Sequence, residues 1–320
     1  MGRYLLRRLV IAVPILFGIS LTTFALGNVA PGDPVTAMLD PKQMANLGPE
    51  WVEQRKEALG LNKPAATRYV IWLKELSRGN LGYSYQDGQP VWRKISERIW
   101  PTLLLMSTVL IMANLIGIPL GLLAAVKQYS VFDYAASLLG FAAVSIPSFF
   151  LGLGFIYIFS VQLRWLPTAG MNSVGGAKSF IDSLEHIILP ATTLGLAQAA
   201  PLIRYSRASM LESIHQDYIA VARAKGLSER TVMFRHALRN VLNPLVTIIA
   251  LDLPALLGGT VIIEQIFAWP GMGTLAVASV FGRDYPVIMG ITLLGAVTVV
   301  ASNLLADLVY AVVDPRIKYS

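Results

Sequence analysis

Residues 99–126 read IWPTLLLMSTVLIMANLIGIPLGLLAAV, 28 positions without Asp, Glu, Lys or Arg. About 20 such residues in an α-helix cross a hydrocarbon core of roughly 30 Å, so this segment is long enough to span a bilayer. Four more stretches lack those residue types: Leu9 to Gly32, Tyr134 to Leu163, Ile187 to Ile203 and Tyr285 to Ala306. A sixth, Asn240 to Ile263, is apolar except for Asp252. Composition agrees, since 55% of the 320 residues are hydrophobic and 14% charged, against about 45–50% and about 25% in soluble domains.

The pattern predicts an all-α polytopic membrane protein with six spans, at 9–29, 101–126, 134–162, 187–205, 244–264 and 287–313. Six crossings leave both termini on one side. If residues 1–8 are cytoplasmic, the inside segments, including 209–243 and 314–320, carry thirteen Lys and Arg. The two short outside loops carry three, Arg164, Lys178 and Arg283. The remaining ten fall within 30–100, a loop long enough to cross regardless of its charge. Both termini are therefore expected inside, with 30–100 and 265–286 extracytoplasmic. The net charge of +7 then reports cytoplasmic loops, and no nucleic-acid partner is expected. The chain has no cysteine, and His186, His215 and His236 form no HExxH pattern, so no metal site is expected. The first apolar run exceeds the ~7–15 residues of a signal-peptide core and reads as a retained span.

The outer loop has the punctuation of a small helical domain. Pro64 opens a segment in which Ala65, Tyr69, Trp72, Leu73 and Leu76 recur at helical spacing, and Gly79 closes it. Glu50 to Leu59, ended by Gly60, and Val91 to Ile99 read as two further short helices. Such a domain serves equally as a lid over helix ends or as a surface for a partner. On the other side, Met210, Ile214, Tyr218 and Val221 predict one apolar helix stripe. Arg223 and Lys225 suit its last turn, Gly226 its left-handed stop, and Ser228 the cap of a second helix, Glu229 to Arg239. Asn243 and Pro244 read as the cap and first residue of the fifth span. A short amphipathic helix of this kind can lie on lipid, pack on its own bundle, or enter a groove on another protein.

Ala220-Val221-Ala222, three residues, Gly226, nine residues, then His236-Ala237-Leu238-Arg239 matches in spacing the cytoplasmic motif of ABC importer permeases. The longer string Asp217 to Leu227 resembles the version used by the dipeptide, oligopeptide and nickel permease family. Further similar strings follow in order along nearly the whole chain. They are Leu5 to Leu9, Pro31 to Pro34, Leu59 to Leu61, Gly79 to Ser84, Pro90-Val91, Ile188 to Pro190, Glu264 to Gly273, Arg283 to Pro286 and Asp314 to Arg316.

The resemblance implies a type I ABC importer permease with six transmembrane helices and a helical extracytoplasmic loop domain. It implies pairing with a second homologous six-helix permease, two P-loop ATPase subunits, the same or different, and an extracytoplasmic substrate-binding protein. It also implies a coupling helix that docks on the ATPase, carried here by Asp217, Tyr218, Ala220, Ala222, Arg223, Ala224, Lys225 and Gly226, with His236 and Arg239 following. ATP and magnesium would sit on the partner subunits, with no cofactor in this chain. Independently, the chain lacks any Gly-Lys dipeptide and so cannot hold a GxxxxGK[ST] phosphate loop. A transport subunit that is not itself an enzyme is expected. The family's cargo is most often di- and oligopeptides, with nickel chelates, glutathione and other small solutes as minority uses.

Asp252 is the one ionisable residue well inside a span, and placing it there costs about 2.5–3.5 kcal/mol. It reads either as a contact in the translocation path or as a partnered group inside the bundle. Asp307 is expected at the inner end of the last span, and Trp100, Trp165 and Trp269 as interfacial anchors. Two rival classes are weaker. A secondary transporter would normally show internal repeats and more midplane charge. An intramembrane enzyme would need a spanning base beside Ser145 or Ser302.

Overall fold

The computed structural model describes residues 2–29, 35–36, 41–173, 175, 179–252 and 261–313. Among these the elements are helical: α1 Gly2–Val29, α2 Pro41–Ala58, α3 Ala65–Leu76, α4 Val91–Val126, α5 Val131–Ser145 and α6 Ser148–Phe155, which widens into a π-helical stretch Ile156–Gln162. After them come α7 Phe180–Ile214, α8 Asp217–Ala224, α9 Glu229–Thr231, a second π-helical stretch Val232–Ala237, and α10 Leu238–Asp252. The last three are α11 Val261–Ile266, α12 Met272–Phe281 and α13 Tyr285–Val313. Only helices and closed barrels satisfy every backbone group without water, which accounts for the uniform class.

Among the described residues four segments are long and apolar enough to cross a membrane: Val10–Val29, Val91–Val126, Phe180–Ile214 and Tyr285–Leu305. A fifth is the pair α5 plus α6 with its π-helical extension, bent by 102°. The expected uninterrupted span at 134–162 is thus two helices. The residue before a proline is driven out of the helical region, and Ile146, preceding Pro147, is extended at φ −90°, ψ 122°. At the expected fifth span, helix is described up to Asp252 and again from Val261, and 253–260 lie outside the described residues.

Several boundaries differ from expectation for local reasons. The helix expected at Val91 to Ile99 and the span at 101–126 are one 36-residue helix passing through Pro101. Asn243 and Pro244 do not cap a span, because helix continues across them from Leu238. The stripe Met210, Ile214, Tyr218 and Val221 is split between two helices. The α7 helix stops at His215, Gln216 is extended, and α8 begins at Asp217. Glu50 to Leu59 belongs to the longer α2. The α3 helix starts after Pro64 as expected.

The described residues group into two compact units. One contains α1 to α3, the first turns of α4, α12 and most of α13. Its core joins Val91 and Ile95 to Met272, Leu275 and Val287. The other contains the rest of α4 and α5 to α10, with most of α11. Its larger core packs Leu105, Met106 and Val109 of α4 against Ile187, Leu189 and Leu194 of α7, with Ile263, Phe267 and Trp269. Trp269 is fully buried there and is no interfacial anchor, whereas Trp100 and Trp165 are exposed. The chain reverses at Ala268, whose φ is 44°, and Trp269 N–H donates to the Glu264 carbonyl at 2.8 Å, which turns the indole inward.

Within this second unit α4 and α7 touch at a Gly-x-x-x-Gly step. A Cβ on Gly117 would lie 2.7 Å from Leu202 Cβ, and one on Gly121 would lie 2.4 Å from the Ile203 carbonyl oxygen. Small residues let helix backbones approach where lipid gives no hydrophobic drive to associate. Gly121→Val, which cannot be absorbed by moving a flexible side chain, is expected to destabilise the protein by about 1–3 kcal/mol. A lowered midpoint of thermal unfolding in mild detergent is the readout.

Candidate functional site

The module expected on the cytoplasmic side is built on a short helix held from beneath. Ile219 and Ala222, three residues apart on α8, are buried with Met210 of α7, Ala125 of α4, Val232 and Ala237 of the π-helical stretch, and Val241 and Leu245 of α10. The Tyr218 hydroxyl meets Ser213 Oγ at 2.7 Å, and Ser213 Oγ lies 3.2 Å from the Ala237 carbonyl it donates to. These contacts tie the end of α7, α8 and the following helix into one piece.

Both ends of α8 are defined by the backbone. Asp217 stands in its first turn, favourable against the helix dipole. At the other end Gly226 has φ 75°, its N–H donates to the Arg223 carbonyl, and the Leu227 N–H donates to the Ala222 carbonyl. This pair of bonds is the Schellman stop, which needs a left-handed residue. Ser228 then accepts from the Thr231 N–H to start the next helix. Arg223 donates to both carboxylate oxygens of Glu229, at 2.7 and 3.3 Å, across that turn. Exposed pairs of this kind contribute about 0–1 kcal/mol, so the Schellman stop and the buried face do more to define the shape.

The surface left over mixes charged residues with apolar ones. Tyr218, Val221, Leu227 and Phe234 are all exposed, Phe234 by 66%. Of the residues expected to form the site, Asp217, Tyr218, Ala220, Arg223, Ala224, Lys225 and Gly226 are exposed around α8, while Ala222 is buried beneath it. His236 is half-buried in the π-helical stretch, and Arg239 is exposed one turn later. Tyr218 and Val221, expected on one apolar stripe with Met210 and Ile214, face outward instead, and Ile219 with Ala222 form the inward face. The side chain of Asp252 lies outside the described residues.

Close to this module, α5 and α7 are locked by an ion pair between residues 74 positions apart, which no local spacing discloses. Arg207 Nε and a terminal nitrogen donate to the two oxygens of Asp133 at 2.6 and 2.8 Å. The Asp133 side chain is 3% exposed and accepts the Tyr129 N–H as well. A planar guanidinium suits this two-oxygen geometry better than an ammonium would.

In the other unit, two strings noted separately in the sequence meet. Asp284, fully buried, accepts from the Ser84 hydroxyl at 2.5 Å and the Tyr85 N–H at 2.9 Å. Lys94 lies 3.7 Å from the same carboxylate and bonds Asp87 at 2.9 Å. Burial pushes the Asp87 carboxyl up, but hydrogen bonds from Lys94, the Gln89 N–H and Ser84 together hold it below the usual carboxylate range. The backbone turn that delivers Asp284 is again a Schellman pair, here with Arg283 at φ 51° in the left-handed position.

Several apolar helices long enough to cross a bilayer define the class of polytopic membrane proteins. Residues 117–319 match the family described as binding-protein-dependent transport system inner membrane component, and residues 1–107 match its N-terminal companion. The chain is 45% identical over 320 residues to the oligopeptide transport system permease protein AppB of Bacillus subtilis (strain 168), covering 100% of both chains. It is 39% identical over 340 aligned positions to the dipeptide transport system permease protein DppB of Escherichia coli (strain K12), covering 100% of this chain and 99% of that one. Among solved structures, the MetNI methionine ABC transporter in an inward-facing conformation matches with a TM-score of 0.55 at 19% identity. That match covers 69% of this chain and 96% of the MetNI chain and shows a shared fold. The chain belongs to the inner-membrane permeases of binding-protein-dependent ABC transport systems, in the dipeptide and oligopeptide permease family.

Removing the Asp284 carboxylate would leave the Ser84 hydroxyl, the Tyr85 N–H and part of the Lys94 charge without their acceptor. Asp284→Ala is expected to cost about 3 kcal/mol, and Ser84→Ala about 1 kcal/mol. Thermal unfolding of both variants in the same detergent checks the order.

Proposed function

We propose that this chain is the permease subunit of an ATP-driven importer for di- and oligopeptides. It would form half of the translocation path beside a second, homologous permease. An extracytoplasmic binding protein would deliver cargo, and two P-loop ATPase subunits would hold ATP and magnesium. Six spans with both termini cytoplasmic fit the distribution of Lys and Arg. The names of the AppB and DppB relatives support peptide cargo.

The observation that carries the coupling role is α8. It is clamped from below by Ile219 and Ala222 while Tyr218 and Val221 stay open above. Such a helix transmits displacement as a rigid body, because its inner face is part of the bundle core. In the cycle, ATP-driven closure of the ATPases would carry α8 with it and rock the spans between outward and inward access, and hydrolysis would reset the inward state. Asp252 would line the path, where its carboxylate could meet the ammonium group of a peptide. The Arg207–Asp133 pair would keep α5 and α7 moving together.

Affinity purification of the tagged chain in mild detergent, followed by mass spectrometry, tests the assembly. Recovery of a second permease and P-loop ATPases is the expected result. A lone or self-associated chain would overturn the reading and favour a secondary transporter. Val221→Glu, placing a charge on the open face of α8, should reduce ATPase recovery about tenfold, equivalent to about 1.4 kcal/mol, while the second permease is retained. A Cβ on Gly226 meets nothing within 4 Å, so only its positive φ objects to substitution. Gly226→Val therefore strains the stop by about 1–2 kcal/mol and should lower ATP-driven uptake more than ATPase recovery. Unchanged uptake in that variant would remove the coupling role. Asp252→Asn with unaltered uptake kinetics would remove the path contact.

A further inference from the structure

The outer unit contains a recess of about 820 Å³ that the coupling mechanism does not use. It opens between the end of α1, the turn after α2, one face of α3, residues 81–85 and the start of α13. Its size falls within the roughly 300–1,000 Å³ of small-ligand sites. Unlike an apolar gap between helices, its wall carries charge of both signs and several aromatic rings.

The cationic wall is Arg68 on α3. One terminal nitrogen donates to Asn28 Oδ1, and the guanidinium lies over the Phe24 ring, 5.9 Å from its centroid. Its Nε is buried without an acceptor among the described residues, and so is Nε1 of Trp72, four residues further on the same helix face. A buried donor left unmatched costs about 1–3 kcal/mol. Both nitrogens are closed off by the chain's own atoms, so the donor that Arg68 offers to an incoming acceptor is its other terminal nitrogen, which has no partner among the described residues. Of the other cations on the wall, Lys56 is engaged elsewhere and Lys63 is exposed.

The acidic wall differs in kind. Glu53 accepts from Asn62, and Glu75 accepts from Asn80 and pairs with Arg78. Glu57 is exposed and has no partner among the described residues. Tyr83, Tyr85 and Tyr285 line the same recess. Burial pushes the Tyr85 phenol up, with Arg68 opposing and Asp284 reinforcing, so this hydroxyl stays a neutral donor. An anion alone would meet the carboxylates, and a cation alone would meet Arg68. A short molecule with a carboxylate at one end and an ammonium at the other suits both.

We infer that this recess is a receiving site for a short zwitterionic peptide, with the C-terminal carboxylate on Arg68 and the amino end toward Glu57. The inference rests on the peptide-importer reading and adds a site on the permease itself, outside the external binding protein. The intact transporter, reconstituted in nanodiscs without its binding protein, tests it by equilibrium dialysis of labelled Ala-Phe, its C-terminal amide and its N-acetyl form. The free peptide should bind at least about tenfold more tightly than the amide, the size of one charge-assisted hydrogen bond. Arg68→Gln should erase that ratio and leave amide binding alone, and Arg68→Lys should keep part of it. Glu57→Gln should erase the preference over the N-acetyl form while keeping the preference over the amide. Because each readout is a ratio within one protein, a variant that merely folds less well does not mimic it. No binding at millimolar peptide, or ratios untouched by both substitutions, overturns the inference. ATP-driven peptide uptake by the wild-type complex with its binding protein is measured in parallel. Uptake without Arg68-dependent discrimination overturns the site and leaves the importer. Absence of any peptide uptake overturns the importer and the site with it.

Discussion

Every helix ends with carbonyls that have no partner inside the helix, and closing those ends with the chain's own N–H groups is the constraint on which the rest of this structure depends. The same solution recurs five times. After α2, α3 and α8 the chain turns at Gly60, Gly79 and Gly226, and after α11 and α12 it turns at Ala268 and Arg283. In each case the left-handed residue donates three positions back and the next residue donates five positions back. Glycine takes that conformation at little cost, whereas alanine and arginine hold it only where surrounding contacts compensate.

Those contacts are visible at both unusual turns. The reversal at Ala268 delivers Trp269 into the α4–α7 core, and Gly170 N–H donates to the neighbouring Phe267 carbonyl at 2.8 Å. The reversal at Arg283 delivers Asp284 to Ser84 and Tyr85. A strained backbone position is thus coupled each time to a fully buried side chain. At Gly226 the stop serves a different end, setting the length of α8 to eight residues and keeping its outer face clear of the helix that follows.

Packing follows the same economy of small differences. Gly117 and Gly121 bring α4 and α7 into backbone contact, and Pro147 breaks the expected third span into two helices at 102°. The Arg207–Asp133 fork then ties the first of those helices to α7, so the bend does not free it from the bundle. Around α8 the same elements leave Tyr218, Val221, Leu227 and Phe234 exposed.

Much of this was legible in the residues themselves. Charge-free runs disclosed the membrane class, because an ionised side chain in hydrocarbon is too costly to occur by accident. Pro64, Gly60, Gly79, Gly226 and Ser228 marked helix ends, because their backbone preferences act locally. The spacing from Ala220 to Arg239 and the ordered strings along the chain disclosed the family. Tertiary structure alone decided which face of α8 turns inward, since Met210 and Tyr218 share a period but belong to different helices once Gln216 is extended. It alone brought Ser84 to Asp284, placed Trp269 in a core, and gathered Arg68, Trp72 and Glu57 around one recess. Local propensity acts over a few residues, whereas these pairings depend on how helices far apart in sequence exclude lipid and water from the same small volume.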